Sequence, residues 1–155
     1  MLSNYYFLIA GFYVFVSGKY FFEIKRKPYR VILALFFCAN LIYFFKVFLN
    51  IKVPIYAYSF IPAIIISGII FIISIFKRPI NLIYKFLIVT YALPIITINL
   101  LRLFHWPDLG LVVFKWLSLL VWIGMTLINR KVNQINDEVK IMNLFAVELI
   151  LMIVS

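Results

Sequence analysis

The chain has 155 residues, of which 66% are hydrophobic, 19% are aromatic and 13% are charged. A soluble domain of this length leaves about 30% of its unfolded-chain surface in water and carries about 25% charged residues, so this composition excludes a soluble monomer, a disordered chain and a disulfide scaffold. The net charge of +10 comes from basic residues that lie mostly between apolar runs, which favours contact with anionic lipid head groups and not with nucleic acid.

Five apolar runs are long enough to cross the hydrocarbon core, because a helical span needs about 20 residues. In chain order they are 3–22, 31–50, 56–76, 80–104 and 109–128. We expect no cleavable signal peptide, since no Lys or Arg precedes the first run, which should stay as an anchor. The lone Cys38 lies inside the second run, where the sequence predicts a small buried apolar side chain.

A sixth apolar run, 139–155, is shorter and carries Glu148 near its middle. Two interpretations stay open: a short sixth span, or a segment that lies in the membrane interface or docks against a partner. Just upstream, Ile128, Val132, Ile135, Val139 and Met142 follow the spacing of an amphipathic helix.

The sequence therefore predicts an all-α fold, a single polytopic membrane bundle of five to six transmembrane helices with short loops.

The basic residues predict the orientation of this bundle. The first, third and fifth connecting segments and their flanks hold 11 of the 15 basic residues, and the second and fourth hold four. Because basic loops stay in the cytoplasm, we expect the N-terminus outside, the odd loops inside and the chain in the bacterial cytoplasmic (inner) membrane. Its first partners are then the lipid bilayer and the anionic head groups that meet the cytoplasmic loops.

Small residues mark two helix faces that favour close packing. Gly11 and Gly18 are seven residues apart and share a face of the first helix, and Ala63, Ser67 and Gly68 give the third helix a small face. Such faces let membrane helices approach each other closely.

Few residues in the chain are suited to catalysis. It has one His, one Cys and five acids, and it lacks metal-protease, phosphate-loop and nucleophile-elbow motifs. We therefore expect a protein that is not an enzyme, with no cofactor and no metal. Glu148 is the only acid inside an apolar run, and such a residue indicates a functional site with a partner. Arg102, Lys115 and Asn99 are the candidate partners.

Pro94 interrupts the fourth run and removes one helical hydrogen bond, which leaves the Thr90 carbonyl without its donor. The side chains of Thr90, Thr97 and Asn99 lie nearby and could bond the freed backbone groups. Broken helices in mid-membrane often line transport sites, although a kink that shapes packing is the commoner outcome. Pro94, Asn99 and Glu148 thus form a candidate intramembrane polar site.

The turn between the fourth and fifth runs contains Arg102, His105, Trp106, Pro107 and Asp108. Each residue has a structural explanation: Arg102 can reach the head groups, His105 and Trp106 suit the membrane interface, Pro107 ends the incoming helix, and Asp108 can cap the next one. The alternative is a partner-binding or pH-sensing site, because histidine titrates near neutral pH.

The string Arg-Leu-Phe-His-Trp-Pro at 102–107, followed by an apolar span, resembles the Lys-x-x-His-Trp-Pro-Gly corner of GldL, the membrane stator of gliding-motility and associated secretion motors. The resemblance covers about residues 98–128 and implies a transmembrane hairpin whose corner faces the periplasm. Asp108 stands where the family has Gly. The fifth run lacks the family's membrane carboxylate and holds Lys115 as its charged residue, so the resemblance implies the hairpin and not motor activity.

Three functions fit these features. The first is a small non-enzymatic integral membrane protein, a subunit or accessory protein of a larger membrane complex, with other subunits or copies of itself as partners. The second is a small transporter or channel with a polar site near Pro94, Asn99, Arg102 and Glu148. The third is a defence or toxin effector that depolarises the membrane.

Overall fold

A computed structural model describes residues 2–49, 55–104, 107, 111–132 and 135–154. Within these residues the chain forms α-helices and no strand, which confirms the all-α prediction. The six helices are α1 (Leu2–Glu23), α2 (Lys27–Phe48), α3 (Ile55–Phe76), α4 (Leu82–Leu103), α5 (Val112–Val132) and α6 (Asn136–Val154).

The helix ends differ from the ends of the apolar runs by a few residues, because polar residues that suit helix ends form or cap the terminal turns. α2 begins at Lys27, with Pro28 in the first turn, where its missing N–H costs little. α4 is capped by Asn81, whose side chain accepts a hydrogen bond from the Ile83 amide at 3.1 Å. α5 continues through Arg130 and Lys131, which complement the negative end of the helix dipole.

The stripe that links the fifth and sixth runs does not form one amphipathic helix. α5 ends at Val132, and α6 begins four residues later at Asn136. Val132 is exposed, whereas Ile135, Val139 and Met142 are buried. The regular spacing is thus divided between two helices; Ile128 packs against the core as the later members do, and Val132 is the member that faces outward.

Consecutive helices pack side by side along the chain. Because their connections are short, neighbouring helices run antiparallel, and the α1–α2, α3–α4 and α5–α6 connections meet at one end of the bundle. Ion pairs join these connections: Lys140 Nζ lies 2.8 Å from Glu23 Oε2, and Arg26 Nε lies 3.7 Å from Asp137 Oδ2. We call this the basic end; the last turns of α2 and α4 and the first turns of α3 and α5 lie at the opposite end.

α6 is the central helix of the bundle. Its side chains are buried on several faces, including Ile141, Leu144, Phe145 and Leu149. Every other helix contributes a contact to it: Glu23 of α1 with Lys140, Tyr29 of α2 with Glu138, Phe71 of α3 with Phe145, Tyr91 of α4 with the Met142 carbonyl, and Trp122 of α5 with Asn143. The run that the sequence left open therefore packs inside its own chain.

Within the part of the chain that the structure describes, three helices are long and apolar enough to cross a membrane: α2 over Lys27–Lys46, α4 and α5. The bundle surface carries many large exposed apolar side chains, and α5 is the least buried of the three candidate spans. Its exposed face contains Val113, Phe114, Trp116, Leu120 and Leu127. Cys38 also lies on the surface, so its predicted burial is wrong: its side of α2 faces outward.

One glycine permits a close helix approach. A Cβ atom on Gly68 would lie 2.5 Å from Cγ1 and 2.7 Å from Cδ1 of Ile96, so α3 and α4 touch at this level because Gly68 has no side chain. Gly11 and Gly18 share the face of α1 that meets α2, but a Cβ there would be 4.0 Å from Phe44 and 3.8 Å from Phe37, which is ordinary contact.

Candidate functional site

Arg102 and Glu148 form an ion pair toward the opposite end of the bundle. Arg102 lies in the last turn of α4, and its Nη1 donates a hydrogen bond of 2.8 Å to Oε1 of Glu148 on α6. The Glu148 side chain is 4% exposed, whereas that of Arg102 is 43% exposed. The structure thus pairs Glu148 with one of the three partners that the sequence suggested.

Asn99 lies one turn before Arg102 and is fully buried. Its Nδ2 donates to the Ile95 carbonyl of its own helix at 2.8 Å, and its Oδ1 has no hydrogen-bond partner among the described residues. Asn40 of α2 repeats this arrangement, with Nδ2 bonded to the Phe36 carbonyl. A buried amide oxygen that accepts no hydrogen bond lowers the stability of the folded protein. Helix packing alone therefore gives no reason for an asparagine at this position.

Pro94 lies on a different side of α4 from Asn99. It is half-buried and, with Leu93, Thr97, Leu111 and Phe114, lines an almost wholly apolar cavity of about 220 Å³ between α4 and the start of α5. The expected polar site is therefore assembled only in part: Arg102 and Glu148 meet, Asn99 faces the core, and Pro94 faces an apolar cleft.

The side chains near Pro94 do not bond the backbone group that it frees. The hydroxyls of Thr90 and Thr97 donate to the carbonyls four residues before them, those of Phe86 and Leu93, and not to the Thr90 carbonyl. Pro94 is thus tolerated inside α4 without the side-chain compensation that the sequence suggested.

The α4–α5 corner lies partly outside the described residues. Arg102 and Pro107 are described, and Pro107 is exposed. His105, Trp106 and Asp108 lie outside the described residues. The structure therefore places Arg102, the first residue of this site, toward the opposite end of the bundle, and the partner-binding or pH-sensing interpretation stays a prediction.

The structure contains a second buried acid, Glu138, which the sequence did not indicate as a candidate. Its side chain is 0% exposed; Arg78 Nε donates to Oε1 at 2.6 Å, and the Tyr29 hydroxyl donates to the same oxygen at 2.9 Å. A signal was available, because Glu138 shares one helix face with the core positions Met142, Phe145 and Leu149. It was missed because Glu138 sits at the polar start of its helix.

Two ion pairs at the basic end shift the pKa values of Arg78 and Glu23. The hydrogen bond to Glu138 raises the pKa of the Arg78 guanidinium, so the group that holds Glu138 is a permanent cation. The hydrogen bond from Lys140 lowers the pKa of Glu23, which keeps that exposed carboxylate ionised at neutral pH. Both hydrogen bonds join two charged groups, and such bonds hold α6 to the connections around it.

α6 is thus fixed by two buried carboxylates ten residues apart. Glu138 is held by Arg78, just before α4, and Glu148 by Arg102, in the last turn of α4. Both carboxylates accept hydrogen bonds from cations, an arrangement that positions helices. Among the described residues, no group of three or more His, Cys, Asp or Glu residues could hold a metal ion.

Comparison with known proteins finds no match: no family model, no curated protein and no solved structure is similar to this chain at a significant level.

Proposed function

We propose that the chain is a small non-enzymatic integral protein of the bacterial inner membrane, a subunit or accessory protein of a larger membrane complex. The proposal is supported by a difference in polarity between the interior of the bundle and its surface. Both buried carboxylates of α6 are engaged in ion pairs within the chain, while the surface presents large apolar side chains. Lipid and other membrane helices are the partners that such a surface suits.

The helix order supports more spans than the three that length and hydropathy identify. α2 and α4 run in the same direction, so the chain has to return between them, and α3 is an apolar helix that packs on both. α1 packs on α2, and α6 lies among the others. We infer six spans, with the N-terminus outside and the basic end in the cytoplasm.

The experiment is site-specific photo-crosslinking in cells, followed by mild solubilisation. A crosslinker at Leu120, which is 64% exposed on α5, should yield a discrete adduct with another membrane protein or a second copy. A crosslinker at Ile141, which is fully buried, is the matched control and should yield none. A chain that purifies alone as a stable monomer, with lipid adducts only, would contradict the proposal.

One observation favours a small transporter as a second candidate. The Asn99 side chain is fully buried with a free acceptor oxygen, one turn from the Arg102–Glu148 pair. Intramembrane polar groups of this kind occur along substrate paths. Purified chain in liposomes should then carry an ion or small solute across the bilayer, and Asn99→Leu should abolish that flux. Tight liposomes with and without the protein would exclude this function.

A further inference from the structure

A cavity of about 270 Å³ opens at the basic end, between the start of α2 and the end of α3. It is lined by Arg26, Lys27, Pro28, Tyr29, Ser74, Lys77 and Arg78. Four of these seven residues are cations, contributed by two segments, 26–27 and 77–78, that lie far apart in the sequence. None of the functions proposed above uses this cavity.

The acids of α6 neutralise only half of this charge. Arg78 is bonded to Glu138, and Arg26 lies 3.7 Å from Asp137. Lys27 and Lys77 are exposed, and neither has an acidic partner among the described residues. Two ammonium groups therefore face one cavity with their hydrogen-bond donors available, beside the positive N-terminal turn of α2.

The surroundings of the cavity combine charge with apolar surface. Phe76, the last residue of α3 and the chain neighbour of Lys77, is 59% exposed. At a membrane surface this level of the helices meets the boundary between head groups and acyl chains. A ligand that carries both a phosphate and an acyl chain fits such surroundings better than a free anion does.

We propose that this cavity binds the phosphate of an anionic phospholipid, with Lys27 and Lys77 as its cationic contacts. Basic pockets between membrane helices bind lipid head groups in this way. The inference rests on the proposed membrane spans and not on the proposed role in a complex. A cavity of this kind makes the bundle selective for anionic lipids at its basic end.

The test is lipid binding to the purified full chain in detergent, measured by native mass spectrometry with phosphatidylglycerol and phosphatidylcholine. We expect the chain to prefer phosphatidylglycerol, and Lys27→Gln with Lys77→Gln to weaken that binding roughly tenfold. Lys25→Gln with Lys131→Gln removes the same charge from exposed positions that do not line the cavity. This matched control should keep the preference, as should Lys27→Arg with Lys77→Arg.

Three results would overturn the proposal. One is equal binding of the two lipids by the unmodified chain. Another is an equal loss in the Lys25 and Lys131 control, which would assign the preference to diffuse charge. The third is displacement of phosphatidylglycerol by inorganic phosphate but not by chloride at the same ionic strength, which would assign the cavity to free phosphate. Because the measurement uses the isolated chain, none of these results bears on the crosslinking test.

Discussion

At the residue scale, the two arginines that hold α6 differ in their access to solvent. The Arg102 side chain is 43% exposed, whereas that of Arg78 is 15% exposed, and both glutamates are buried. An arginine near the membrane surface can turn to water or head groups when its partner is lost. A buried glutamate cannot, so the consequence of a substitution depends on which partner is removed.

We therefore predict that Arg102→Gln destabilises the protein more than Glu148→Gln does. The first leaves a buried carboxylate without its cation, at a cost of about 3–5 kcal/mol, and the second leaves an arginine that can reach the surface, at about 1 kcal/mol. The measurement is the apparent Tm in detergent, followed by size-exclusion chromatography. Arg102→Met with Glu148→Met should recover much of the loss; a double variant as unstable as Arg102→Gln would contradict this explanation.

Glu138 and Asp137 provide a matched pair of neighbouring acids. Glu138→Gln removes the acceptor of Arg78 and Tyr29 in a buried position, so we expect a loss of about 3–5 kcal/mol and a start of α6 that is open to protease. Asp137→Asn weakens only a partly exposed contact of 3.7 Å with Arg26 and should cost less than about 1 kcal/mol. Thermal unfolding measures the loss of stability in each variant, and limited proteolysis measures the opening of α6. Similar losses in the two variants would contradict the explanation that the burial of Glu138 makes its ion pair the more important one.

At the element scale, the contact between α3 and α4 depends on Gly68. We predict that Gly68→Ala destabilises the bundle by about 1–3 kcal/mol, because its Cβ would overlap Ile96. Gly124→Ala is the control: a Cβ there meets no atom within 4 Å, and alanine favours a helix. Adding Ile96→Ala to Gly68→Ala should cost less than the sum of the two single changes. Additive losses in unfolding experiments would show that the two residues do not interact.

The helices were predictable from the sequence because apolar runs of about 20 residues have few other ways to satisfy their backbone. The central place of α6 was not, because its residues are no more apolar than those of the helices around it and a lipid-facing side chain resembles a buried one. The Glu148–Arg102 pair was predictable, since an acid in an apolar run needs a cation. The Glu138 pair was hidden because polar residues at a helix start are ordinary.

At the scale of the whole molecule, charge is distributed unevenly between the two ends. The basic end holds 11 of the 15 basic residues and three of the five acids. The acids there are engaged in ion pairs with Arg26, Arg78 and Lys140, so eight cations at this end have no acidic partner among the described residues. This excess is large enough to fix the orientation of a short-looped chain.

The last prediction is that the basic end lies in the cytoplasm. Cys38→Ser removes the single cysteine of the chain, so one new cysteine at a time can be placed at exposed positions. Pro107→Cys, at the opposite end, should react with a membrane-impermeant maleimide in cells whose outer membrane has been opened. Lys25→Cys and Lys131→Cys should react only after the inner membrane is permeabilised. Because Lys25 and Lys131 flank different connections, the two variants have to agree if the bundle crosses the bilayer as proposed. Labelling of both without permeabilisation, with Pro107→Cys protected, would show the reverse orientation. Labelling of one and not the other would contradict the proposed number of spans.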